Sequence, residues 1–96
     1  MERCYGRSMG QALQTIFGDV IRTLRKEKKV SQERLAADSD LQRTFISRLE
    51  RGKTQPTLVT IFELSKALNV EPADIIIQVQ RRWKEGNARH ERGGND

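Results

Sequence analysis

The amino-acid sequence predicts an all-α domain, a compact bundle of five short helices. Three observations carry this expectation. Apolar residues recur at spacings of three and four along most of the chain, as one buried face of a helix requires. Helix-starting residues (Ser31, Thr57, Pro72) and helix-stopping ones (Gly52, Asn69) fall at the ends of those periodic stretches. Only the β-branched run 75–79 also reads as a strand.

The first helix is expected over residues 12–28, where Leu13, Ile16, Phe17, Val20, Ile21 and Leu24 share one face. Gly18 lies inside that pattern and weakens it by roughly 1 kcal/mol relative to alanine. Lys26, Lys28 and Lys29 gather at its C-terminal end, where they serve either as partners of the helix dipole or as contacts for an anionic partner. Ser31 is an N-cap for a second helix with Leu35 and Ala36 inward, ending near residues 38–40. A third helix is expected over residues 42–51, with Ile46 and Leu49 facing in and Gly52 as its left-handed stop. Thr57 caps a fourth, whose apolar residues are Leu58, Ile61, Phe62, Leu64 and Leu68. Pro72, at the first position of a fifth, lacks only an N–H that the helix start does not use. Residues 1–11 read as a flexible N-terminal arm, with Met9 available as an alternative start, and residues 84–96 as a polar C-terminal tail. The domain proper is expected over 12–80.

Composition narrows the function classes. Ninety-six residues suit one small domain with a single core. No apolar run approaches the ~20 residues of a membrane span, and the N-terminus lacks the apolar stretch of a signal peptide, so a cytoplasmic location is expected. Cys4 has no partner cysteine, and His90 lies in the polar tail. Metal, Cys–His or Ser–His–Asp catalysis therefore has almost no material, and neither an enzyme nor a cofactor is expected. The net charge of +5 is unevenly placed: residues 22–53 carry ten positive against five negative charges, and residues 54–80 one against three. Such concentration favours a polyanion such as nucleic acid, the alternative being a solvated basic face.

The basic segment contains residues 31–53, two helical patterns too short to be stable separately and joined by a tight break. They must pack steeply on a third element, with Ala36 small enough for the crossing and Ile46 as its apolar counterpart. Asp40 sits in the turn, where a left-handed backbone is needed and Asp is tolerated better than most residues. This is a helix-turn-helix pattern.

The pieces SQERLA, RTFISRLERGKTQP and LSKALNV, in this order and spacing, resemble the lambda-repressor-like, Cro-type helix-turn-helix family, also called the xenobiotic-response-element family. The resemblance covers about residues 16–77. It implies a five-helix bundle that binds operator DNA as a homodimer, and Asp40 departs from the glycine common at that position. The second helix of such a motif enters the major groove, its N-terminal side chains meeting base edges. By position, the base readers would be Arg43, Thr44, Ser47 and Arg48, with phosphate contact the alternative for each arginine. Phe45 would touch a thymine methyl or cover the core. Gln32 would anchor a phosphate at the start of the motif's first helix, and Lys53, Thr54 and Gln55 would contact backbone after the recognition helix. Arg51 would add a phosphate contact or cap its own helix. Arg25 and Glu50 match positions that form an ion pair between the first and third helices.

A dimer places two recognition helices on successive major grooves, which implies a roughly palindromic operator. Ile76, Val79 and Trp83 are expected to form the interface on a helix over residues 72–83, with burial of Trp83 in the monomer as the competing reading. The functional expectation is a transcription regulator whose partners are double-stranded DNA, a second copy of the chain and RNA polymerase, excluded or contacted at the operator. Phage repressors and restriction–modification controllers fit the length. No small-molecule ligand is expected. The alternatives are an antitoxin that binds both a toxin and DNA, and a protein-interaction adaptor.

Overall fold

A computed structural model describes the backbone of residues 9–95 and the side chains of residues 9–86. The chain forms α1 (Met9–Glu27), α2 (Gln32–Ser39), α3 (Arg43–Glu50), α4 (Leu58–Leu68) and α5 (Pro72–Asn95). No strand occurs among the described residues. The β-branched run 75–79 is helical, and the period then places Ile75 and Val79 inside while leaving Ile76 and Ile77 out.

The turns explain why such short elements hold their shape. Ser31 Oγ accepts from the Arg34 amide at 3.0 Å, and Thr57 Oγ1 from the Thr60 amide at 3.1 Å, each replacing an intrahelical bond that a first turn lacks. The first four helices all end in the same paired C-terminal bonds. For α2 these run from the Leu41 amide to the Ala36 carbonyl (3.0 Å) and from the Asp40 amide to that of Ala37 (3.4 Å). The motif needs one left-handed residue, supplied by Lys29, Asp40, Gly52 and Asn69 with φ of 58°, 58°, 72° and 58°. Asp40 thus makes the turn that glycine commonly makes.

The core is aliphatic apart from Phe17. Val20 and Ile21 of α1, Leu35 of α2, Ile46 and Leu49 of α3, Leu64 of α4 and Ile75 of α5 are fully buried. Gly18 has a different meaning from the propensity cost expected of it. A Cβ there would lie 2.2 Å from the Leu49 carbonyl oxygen and 2.9 Å from that of Glu50, so α1 and the end of α3 touch backbone to backbone.

Three expectations change at the ends and faces of helices. Residues 9–11, expected in the arm, belong to α1, while residues 1–8 lie outside the described residues. α5 continues through most of the segment expected to be a polar tail. A packed helix end is already nucleated, so adding residues costs far less than starting anew, and Arg, Lys and Glu are good helix formers. In α4, Leu58 and Phe62 lie about 120–160° around the helix from Leu64 and are exposed rather than part of one inward face.

Candidate nucleic-acid interface

α3 turns two different faces to its surroundings. Ile46 and Leu49 point into the core, and the half-buried Phe45 packs against it with part of its ring still exposed. The outward face carries Arg43, Thr44 and Arg48, all exposed, with Ser47 half-buried among them. These four side chains form a continuous polar surface one helix wide, the dimension a major groove admits.

What fixes α3 in place is a part-buried polar cluster. Arg25 of α1 grips Glu50 in two-point fashion, Nε to Oε2 at 2.6 Å and Nη2 to Oε1 at 3.1 Å, while Nη1 donates to the Val30 carbonyl at 2.9 Å. The two side chains are only 12% and 4% exposed, so each charge depends on the other. Gln32 joins them, its Nε2 donating to Glu50 Oε1 at 3.0 Å. That bond uses one amide hydrogen of Gln32 and leaves the second to donate outward. α1, α2 and α3 are therefore tied at one carboxylate.

Next to this cluster lies an open polar concavity of about 290 Å³, lined by Arg22 and Lys26 of α1, Gln32, Ser47 and Arg51 over the Arg25–Glu50 pair. Arg22 was not singled out from the sequence, and Lys26 was read only as one of a group. The signal was present, since both stand one position or one turn from Arg25, which already had an assigned partner on α3. Arg51 Nε donates to the Ser47 carbonyl at 3.3 Å, so it caps its own helix and still faces this concavity. Lys53 and Gln55 are exposed beyond Gly52, and Thr54 is half-buried.

A second surface is apolar. Leu58, Val59 and Phe62 of α4 are 71%, 69% and 54% exposed. Ile76 is 46% exposed and lines a groove with Leu13, Pro56 and Ile61. Of the expected interface stripe of Ile76, Val79 and Trp83, the first two line this same groove. Val79 is buried in the monomer core one turn after Ile75, because residues four apart share a face, and Trp83 is half-buried. Among the described residues there is no group of three acidic, His or Cys side chains placed to hold a metal, and no helix long and apolar enough to cross a membrane.

Comparison with known proteins agrees with this geometry. The Helix-turn-helix family model matches residues 21–75. The control protein C.BamHI of Bacillus amyloliquefaciens is 42% identical over 69 residues, which cover 71% of this chain and 85% of the relative. The crystal structure of the restriction-modification controller C.AhdI from Aeromonas hydrophila superimposes with a TM-score of 0.63 at 40% identity, covering 65% of this chain and 94% of that one. The controller C.Esp1396I, solved as a tetramer on its natural 35 base-pair operator, gives a TM-score of 0.69 at 31% identity over 78% of this chain and 95% of that one. A matched segment that contains the motif, its turn and the Arg25–Glu50 frame places the chain in the XRE-type helix-turn-helix family of DNA-binding regulators.

Proposed function

We propose that the protein is a sequence-specific transcription regulator that binds a roughly palindromic operator as a homodimer, with α3 in the major groove. The observation that carries this is the exposed polar face of α3, tied to α1 and α2 through the part-buried Arg25–Glu50–Gln32 cluster. Arg43, Thr44, Ser47 and Arg48 read base edges. An arginine meeting O6 and N7 of guanine contributes roughly 1–3 kcal/mol of discrimination. Gln32, Arg51, Lys53, Thr54 and Gln55 hold phosphates, and the concavity adds Arg22 and Lys26 to that set.

The dimer forms through the apolar surface of α4 and α5, in which Leu58, Val59 and Phe62 join Ile76 and Trp83. This widens the expected stripe of Ile76, Val79 and Trp83 to α4, with Val79 lining the Ile76 groove while belonging mainly to the monomer core. The likeness to restriction–modification controllers favours control of such a gene system over the antitoxin reading. The protein acts in the cytoplasm, by occupying DNA and excluding or contacting RNA polymerase rather than by catalysis. The deciding experiment selects bound duplexes from a random pool with wild type and Arg43→Ala in parallel. The variant should lose preference at one position in each half-site and keep the rest. Equal enrichment of the same bases by both proteins would remove Arg43 from the base-reading set.

A further inference from the structure

Arg43 is not free in the unbound protein. Its Nε lies 3.2 Å from Oε2 of Glu33, on the first turn of α2, across the turn of the motif. Both side chains are exposed, 58% and 68%, so the pair adds little to folding. Its position is what matters. The contact is made at Nε, and a guanidinium carries four further N–H hydrogens on its two terminal nitrogens with which to meet a base.

We infer that Glu33 is a specificity-determining residue that positions Arg43 and suppresses its use as a phosphate contact; this rests on Arg43 reading a base. An arginine near DNA has two competing partners. Phosphate attracts it through net charge, on any sequence. Guanine attracts it through two acceptors that match two oriented N–H groups. A carboxylate beside the guanidinium offsets the net charge, so attraction to phosphate falls. The terminal donors keep their direction, so recognition of guanine does not fall with it. Repulsion of the wrong partner is as effective a source of specificity as attraction of the right one.

The test is a double-mutant cycle of Glu33→Gln, Arg43→Ala and the combined variant. Fluorescence anisotropy at one fixed salt concentration gives affinity for the selected operator and for a random duplex of equal length. In the wild-type background, Glu33→Gln should tighten binding to the random duplex more than to the operator, lowering the ratio of the two affinities by about fivefold. In the Arg43→Ala background the same substitution should change both affinities alike and leave the ratio where it was. A ratio unmoved by Glu33→Gln, or moved equally in both backgrounds, overturns the inference. If Arg43→Ala alone leaves base preference intact, the base-reading assignment fails and takes this inference with it. Melting temperatures of the exposed-site variants should match wild type, which keeps folding out of the comparison.

Discussion

Gly18 shows how a single residue can mean the opposite of its propensity. Inside an exposed helix, alanine in its place would stabilise by roughly 1 kcal/mol. Here the added Cβ would sit 2.2 Å from the Leu49 carbonyl oxygen, a backbone atom that no rotamer change can move. Relief requires α3 to shift away from α1, and overpacking of this kind typically costs about 1–3 kcal/mol. The same shift would stretch the Arg25–Glu50 bonds, which lie at the same end of α3. Gly18→Ala should therefore lower the melting temperature by about 5–20 °C, taking roughly 4–8 °C per kcal/mol for a domain of this size. A thermal melt by circular dichroism reads this directly, and a variant as stable as wild type would show that the approach of α1 to α3 is not tight. The sequence marked Gly18 only as a defect in a helical pattern, because the contact that needs it comes from residues about thirty positions away.

At the scale of elements, α4 is the least legible from sequence and the most consequential for assembly. Its apolar residues read in the sequence as one continuing helical period, yet Leu64 and Leu68 are buried while Leu58 and Phe62 are exposed. Two apolar stripes on one eleven-residue helix look like a single broad face in a linear pattern. By contrast, α2 and α3 were readable almost to the residue, because Ser31, Asp40 and Gly52 announce caps and turns through local chemistry alone. The polar face of α3 was readable for the same reason, since the helical period assigns its two sides. The concavity around Arg22 was not, because it exists only where three helices meet, and neither was the end of α5, where helix propagation overrides polar composition. The exposed stripe leads to a prediction about assembly. Phe62→Asp removes an apolar contact and places a charge in the proposed dimer surface without disturbing the core. Sedimentation equilibrium should show the dimer dissociation constant raised by about 30-fold or more, the effect of losing a contact of about 2 kcal/mol. Its melting temperature in the monomeric range should stay near that of wild type. An unchanged dimer would place the interface elsewhere on the molecule.

The whole molecule divides its labour by charge. Residues 22–53 hold ten positive charges against five negative and build the helix-turn-helix with its flanking concavity. Residues 54–80 hold one against three and carry the apolar surface of α4 and the start of α5. On the proposed reading a polyanion meets the basic segment while a second copy of the chain meets the apolar surface, so that a dimer would leave its DNA-binding faces unscreened. The two kinds of DNA contact can be separated by their salt dependence. Each phosphate neutralised by a cation changes the slope of log affinity against log salt by about 0.9. With Arg22 and Lys26 each on a phosphate, as proposed, there would be two such contacts per subunit and four per dimer. The double variant Arg22→Ala/Lys26→Ala should then make the slope shallower by about 3–4, and should weaken operator and random duplexes alike. Base preference in a selection experiment should be untouched, in contrast to Arg43→Ala. A slope equal to that of wild type would mean that the concavity faces solvent in the complex and that α1 serves only to hold Glu50. A change in base preference would instead mean that the two side chains orient α3 in the groove, because a contact to phosphate alone fixes register without reading sequence.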